Sequence, residues 1–282
     1  MNVLITGAAG RLGYEVVKLC SKEGCSIRAF DLPHVNWTHL EALEGVEIFR
    51  GDITDKNSVK EACKDIDAVI HLAALLPPKT ETSRDLTLRI NVEGTRNLLE
   101  SLGEDARIVF TSSIATYGAT MEEKPPIKET HTQGKYNNYA ESKIEAEKIV
   151  KESGNPWTIL RIAPISVADL LELPETVAYK ADQRVECVYV EDAGYALYSC
   201  LMEKTDAVYN IGGGASWQMT GEEYLKRFYD ALGVEVEPNY PLEYTAVDWY
   251  DTTKSRHLGY QRTSFNQFEK KLVAIGEELG LR

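Results

Sequence analysis

Asn2-Val3-Leu4-Ile5-Thr6-Gly7-Ala8-Ala9-Gly10-Arg11-Leu12-Gly13 opens the chain, and its reading decides the fold. A β-branched apolar run stops at Gly7, further glycines follow at Gly10 and Gly13, and a helical pattern begins at Arg11. Gly7 permits a tight turn, Gly10 lets the backbone approach a pyrophosphate, and Gly13 lets the helix pack closely on the sheet. The start of such a helix offers unpaired N–H groups and the positive end of its dipole to phosphate oxygens. A glycine string alone is weak evidence, so the strand before it and the helix after it carry the reading.

Working outward, short β-branched runs alternate with helical patterns, which is the signature of a parallel sheet covered by helices. Strands are expected at Asn2–Thr6, Ser26–Phe30, Val46–Arg50, Ala68–His71, Ile108–Thr111 and Thr158–Arg161, with helices near Arg11–Lys22, Lys56–Lys64, Ser83–Ser101 and Tyr139–Glu152. That rhythm predicts an α/β, doubly wound parallel sheet. After Arg161 it breaks at Pro164 and Pro174. A strand over Val185–Val190, a helix over Asp192–Met202, a strand over Ala207–Ile211 and an amphipathic helix over Asn266–Leu279 then follow. Thr220 and Glu223 read as a capping box opening a helix over Gly221–Leu232. Gly212-Gly213-Gly214 reads as a turn. The expected division is a nucleotide-binding domain over 1–165 plus about 183–211, and a small C-terminal substrate lobe over about 166–182 and 212–282.

Thirty-one Lys+Arg against 44 Asp+Glu leave a net charge of −13, which repels phosphate backbones and anionic lipid; nucleic-acid and membrane partners are not expected. Cys20, Cys25, Cys63, Cys187 and Cys200 contain no C-x-x-C pair, and the histidines show no metal-ligand spacing. Reduced thiols in the cytoplasm and no metal are the expectation. The N-terminus lacks the basic start of a signal peptide. The longest apolar stretch, Ala68–Leu76, is too short to cross a bilayer.

Asp31 ends the second strand, eighteen residues beyond Gly13. A carboxylate there accepts hydrogen bonds from adenosine ribose hydroxyls and repels a 2′-phosphate, so the cofactor expected is NAD. Arg11 and Arg28 are the basic residues that weigh against this choice. Asp52-Ile53 could hold the adenine edge or belong to a helix-capping turn. Tyr139 and Lys143 stand four apart in a helical pattern and share one face. A phenol with a reference pKa of about 10 is a poor base near neutrality, and a neighbouring ammonium and a positive nicotinamide ring should lower it by several units. Thr111-Ser112-Ser113 ends the fifth strand, on the edge of such a sheet that faces the ligand.

With these motifs in order, the chain resembles the extended short-chain dehydrogenase/reductase family, the Rossmann-type NAD-dependent sugar epimerases and dehydratases. Thr6–Gly13, Asp31, Asp52-Ile53, His71-Leu72-Ala73-Ala74, Asn91–Asn97, Ser112–Gly118, Tyr139–Lys143 and Tyr189–Ala193 carry the likeness. The resemblance implies Ser113, Tyr139 and Lys143 as catalytic residues. It implies NAD contacts from Gly7, Gly10, Arg11, Leu12, Gly13, Asp31, Asp52, Ile53, Leu72, Ala73, Ala74, Asn91, Ser112, Tyr139, Lys143, Ile162 and Pro164. Ser112 would line the nicotinamide side. The implied chemistry is hydride transfer to nicotinamide C4 while Tyr139 moves the alcohol proton. A homodimer through the helices at Ser83–Ser101 and Tyr139–Glu152 is also implied, with Leu86, Ile90, Leu98, Ile144 and Ile149 offering apolar faces.

Departures narrow the activity. Ile114-Ala115 stands where the family's dehydratases carry an Asp-Glu pair, so dehydration is not expected. Pro164 replaces an amide that touches substrate in relatives, and Leu76 replaces a polar cofactor contact. Lys180, Arg184 and Arg256 are the candidates for holding a nucleotide diphosphate, against the plainer reading of solvated surface charge. The leading expectation is an epimerase of a sugar or nucleotide sugar. A net dehydrogenase of a smaller polyol, uronate or hydroxy acid is the alternative, and a catalytically idle NAD sensor comes third.

Overall fold

The computed structural model describes residues 1–168 and 178–282. The elements run β1 (Asn2–Thr6), α1 (Arg11–Lys22), β2 (Ser26–Asp31), α2 (Thr38–Glu41), β3 (Val46–Arg50), α3 (Lys56–Ala62) and β4 (Ala68–His71). They continue through α4 (Arg84–Leu88), α5 (Gly94–Ser101), β5 (Arg107–Ser113), α6 (Asn138–Lys151) and β6 (Trp157–Ile162). The last part holds β7 (Ile165–Ser166), β8 (Arg184–Glu186), β9 (Val188–Tyr189), α7 (Val190–Ser199), β10 (Ala207–Ile211), β11 (Gln218–Thr220), α8 (Gly221–Leu232) and α9 (Phe265–Glu278).

Seven strands form one parallel sheet in the order β10-β6-β5-β4-β1-β2-β3. The chain leaves β1 toward β2 on one side and returns to β4 on the other, so a crevice opens where Gly7 and Leu72 leave the sheet. Both faces are buried, which is why these strands are nearly continuous in apolar residues. Val3, Ile5, Val109 and Leu160 pack with Val16, Val17 and Cys20 of α1 and Ala193, Ala196 and Leu197 of α7. Leu4, Phe30, Ile108, Phe110 and Ile159 face the opposite way, against Val59 of α3, Leu98 of α5 and Ala146 and Val150 of α6.

The doubly wound sheet is therefore as the sequence predicts, with local corrections. The strand expected over Val185–Val190 is two strands, β8 and β9, which pair with β11 and β7 in separate small sheets. Cys187, between them, uses its carbonyl on Gly213 instead. The following helix starts at Val190, two residues early, and tightens to a 3₁₀ turn at Cys200–Met202. Ser83–Ser101 is a helical run interrupted by a π turn at Arg89–Glu93. Thr220 caps α8 through the Glu223 N–H, whereas the reciprocal box is at Ser264 and Gln267, opening α9. Gly212-Gly213-Gly214 is a packed turn, with N–H groups bound by Tyr260, Cys187 and the buried Glu186. Pro174 falls outside the described residues. All five cysteines are free. Among the described residues no helix is long and apolar enough to cross a membrane.

Candidate active site

The glycine loop is as tight as its sequence suggests. A Cβ on Gly13 would sit 2.2 Å from the Gly7 carbonyl oxygen, and one on Gly7, whose φ is +71°, would sit 2.8 Å from the Ala73 nitrogen. No side chain caps α1 at Gly10, so the helix start faces outward without a carboxylate of its own. Asp31 braces the rim by accepting from the Ala9 N–H at 3.0 Å and the Leu32 N–H at 2.8 Å. Asp52 accepts from the Thr54 N–H and hydroxyl, both at 2.8 Å, while Asp55 caps α3.

Gly7, Gly10, Asp31, Asp52, Ile53, Leu72, Ala73 and Ala74 line one cavity of about 480 Å³, together with Phe30, Leu75, Leu76, Leu86 and Arg89. A dinucleotide's adenosine half fits this combination of glycine backbone, apolar wall and paired rim carboxylate. Arg28 plays no part, because Glu47 and the carbonyls of Ala62 and Lys64 hold it elsewhere. Arg11, Leu12 and Gly13 form the first turn of α1, directly after Gly10 of the cavity lining. Ile162 is buried at the end of β6, and the carbonyl of Pro164 accepts from Val188; neither lines the cavity.

Two hydrogen-bonded chains fix the surroundings. Thr6 Oγ1 accepts from the Leu72 and Ala73 N–H groups at 3.2 Å, so its own proton goes to His71 Nδ1 at 2.7 Å. His71 Nε2 then donates to Thr95 Oγ1 at 2.9 Å, and Thr95 donates to the Asn91 carbonyl at 2.7 Å. Asn91 is turned inward. Its Oδ1 accepts from the Leu75 N–H at 2.7 Å, and its Nδ2 donates to the Leu75 carbonyl and to Ser142 Oγ, which donates to the Tyr139 carbonyl. Asn91 thus fixes Leu75 in the cavity wall, with its amide held by Leu75 and Ser142.

Burial, with Lys143 nearby, holds the His71 pKa down at about 3. A native pKa below the unfolded value of about 6.5 adds stability that is present above pH 6.5 and lost as pH falls toward 3. This single group should cost up to roughly 5 kcal/mol over that window. His71→Gln should flatten the acid limb of a urea-unfolding series from pH 7.5 to 4.5. An unchanged slope would contradict the assignment.

The second chain lies under α6. Asn137 caps this helix through the Ala140 N–H at 2.8 Å, which places Tyr139, Lys143 and Glu147 on successive turns of one face. Lys143 Nζ donates to the Thr111 carbonyl at 2.8 Å and stands 5.7 Å from the Tyr139 ring centre. Ser113 caps the short turn after β5, accepting from the Ala115 N–H at 3.1 Å, and its hydroxyl is near enough to Tyr139 to work against the rise of the phenol's pKa. The Thr111 hydroxyl is buried without a partner among the described residues.

Ser112 points the other way. Ser112 is buried and donates to the buried Glu147 at 2.6 Å. Glu147 forms a forked pair with Arg161 at 2.9 and 2.7 Å, and Arg161 continues to the Tyr117 hydroxyl at 3.0 Å. Sequence reading passed over this pair. The signal was there in the i, i+4, i+8 series from Tyr139 to Glu147, beside an arginine inside a buried strand.

The electrostatics of the protein alone oppose the expected depression of Tyr139. Burial pushes its phenol up to about 12, with the Ser113 hydrogen bond acting the other way. Burial also pulls the Lys143 ammonium down to about 8, against the attraction of Glu147. Burial outweighs what the protein sets against it, so the protein alone keeps Tyr139 protonated near neutrality.

The cations considered for a nucleotide diphosphate do not converge. Arg184 is held by Asp248 at 2.6 and 2.8 Å and by three carbonyls, neither free for a ligand nor solvated. Lys180 lies over the Tyr244 ring at 4.3 Å, and Arg256 is exposed. Among the described residues no three His, Cys, Asp or Glu side chains gather as metal ligands.

Comparison with known proteins agrees with this architecture. D-erythronate dehydrogenase of Cupriavidus necator is 31% identical over 59% of this chain and 56% of that protein. UDP-glucose 4-epimerase of Lactobacillus helveticus is 35% identical over 57% of this chain and 51% of that protein. The chain thus spans about half the length of the curated relatives it matches. Among solved structures, the UDP-glucose 4-epimerase of Thermotoga maritima superposes with a TM-score of 0.86 at 21% identity over 100% of both chains. The Thermus thermophilus enzyme in complex with NAD gives 0.81 at 24% identity, over 98% of this chain and 99% of that one. The model of the NAD dependent epimerase/dehydratase family matches residues 3–165. The chain belongs to the NAD dependent epimerase/dehydratase family, and NAD is its cofactor.

Proposed function

We propose that this enzyme moves a hydride between NAD and a secondary carbinol of a small polyhydroxylated compound, with Tyr139 as the acid/base. The convergence of Ser113, Tyr139 and Lys143 at the end of β5 carries this reading. When bound, NAD supplies the hydride acceptor and a positive ring. Ser113 orients the substrate oxygen, Tyr139 takes the hydroxyl proton in oxidation and returns it in reduction, and Lys143 favours the phenolate.

On the substrate side, we favour a net dehydrogenase or reductase of a polyol, uronate or hydroxy acid over the epimerase. Capture of Arg184 by Asp248 supports this, because a nucleotide diphosphate needs free cations and this candidate is committed. The 35% identity to a UDP-glucose 4-epimerase supports the second reading, a sugar epimerase. Nucleotide released by denaturation and quantified by mass spectrometry separates them. A dehydrogenase should purify mostly empty and bind NAD reversibly, since its cofactor leaves each turnover. Near-stoichiometric NAD would favour the epimerase.

Pairing into a homodimer in the cytoplasm belongs to the same proposal. Ile144 and Ile149 remain partly exposed on α6, whereas Leu98 is in the core and Leu86 and Ile90 line the cofactor cavity.

A further inference from the structure

Arg84, Arg89 and Arg96 lie along one helical run, and two of them are neutralised. Arg84 forks onto Glu141 at 2.7 Å, and Arg96 pairs with Glu93 at 3.3 Å. Arg89 is exposed, lines the cofactor cavity, and its guanidinium makes no hydrogen bond or ion pair among the described residues. In a regular helix both Asp85 and Glu93 would lie within reach, one turn either side. The π turn at Arg89–Glu93 adds a residue to that turn and shifts Glu93 out of line.

The other charged side chains that line the cavity, among the described residues, are acidic. Asp31 and Asp52 line the same cavity, and the whole chain carries −13. Leu76 and Leu86, beside Arg89 in the lining, are 56% and 44% exposed, an apolar lip that a bound molecule would cover. Gly7 and Gly10, in the same lining, present backbone to the cavity but no charge.

We propose that Arg89 is the cation that clamps the cofactor's diphosphate from the side opposite the glycine loop. The guanidinium supplies the charge-assisted contact that glycine N–H groups alone lack, in a cavity whose own side chains repel an anion. Arg89 is then a binding determinant for NAD and has no part in proton or hydride transfer.

The test uses the full chain and calorimetric binding. Arg89→Gln should weaken NAD and ADP-ribose by the same factor, about tenfold, and leave adenosine unchanged. The wild-type affinity for NAD should fall more steeply with salt than that of the variant. Leu76→Lys in the Arg89→Gln background should recover most of the loss, because position 76 borders the same space. Thermal melting serves as the control and should not move, since the side chain is exposed and unpaired. Losses under twofold for NAD and ADP-ribose would overturn the proposal. So would an equal loss for adenosine, which would put Arg89 on the nucleoside and not on the diphosphate. A wild-type chain that binds neither NAD nor ADP-ribose would overturn the cofactor placement itself.

Discussion

Tyr139→Phe should lower turnover by about 10²- to 10⁴-fold while NAD affinity stays within about a factor of two. The substitution removes one oxygen and keeps the ring that stands 5.7 Å from Lys143 Nζ. The backbone ties of this residue also survive, since its carbonyl accepts from Ser142 and its N–H meets Glu81. A loss confined to kcat would mark an acid/base that acts on the proton in flight. Steady-state kinetics and calorimetric NAD binding on the same preparation check it. Unchanged turnover would remove Tyr139 from the chemistry, and a large loss of NAD affinity would recast it as a cofactor contact only.

The second large effect concerns the support under α6. Glu147 and Arg161 are almost wholly buried and face each other in a forked pair. Burial alone would raise the Glu147 pKa, but Arg161, Ser112 and Lys151 together hold it below the usual carboxylate value. Arg161→Met should cost about 3–5 kcal/mol, because it leaves a buried carboxylate with Lys151 at 3.2 Å as its remaining cation contact among the described residues. Replacing both partners with apolar residues should recover much of that loss.

The sign with pH separates this from a packing defect. In the wild type, the lowered Glu147 pKa adds stability that is present above the unfolded value near 4 and lost as pH falls through it. In Arg161→Met the burial term dominates and raises that pKa, so the deficit should grow as pH rises from 4.5 to 8. Urea midpoints across that range check the prediction, and a deficit independent of pH would contradict it. Because Glu147 also attracts the charge on Lys143, the double apolar variant should be stable yet less active.

Local pattern made the first half of the fold legible. The strands that build the crevice are short, β-branched and bounded by glycine or a helix start, and the glycine loop fixes the crossover that follows β1. Tyr139 and Lys143 were legible for the same reason, since a spacing of four on a helix specifies a shared face. What stayed hidden depends on partners distant in sequence. Arg184 reads as a free cation until Asp248, 64 positions away, is seen to hold it. Ser112 and Ser113 are alike in sequence, and only the strand's alternation against α6 sends one to Glu147 and the other to Tyr139. The π turn at Arg89–Glu93 leaves the apolar pattern nearly intact while it rotates the charges, so Arg89 gave no sign of standing alone. The rise of the Tyr139 pKa is a consequence of burial, which spacing does not report.

The most direct test of the account is the ionisation of the Tyr139 phenol, followed as the ultraviolet difference between the wild type and Tyr139→Phe during an alkaline titration. In the free protein the phenol should titrate near pH 12. With NAD⁺ bound, a positive ring beside the phenol should bring it down by about 1–3 units, and NADH, which lacks that charge, should leave it where it was. The same titration curve for free, NAD⁺-bound and NADH-bound protein would show that the nicotinamide does not sit beside Tyr139, and the proposed acid/base would fall with it.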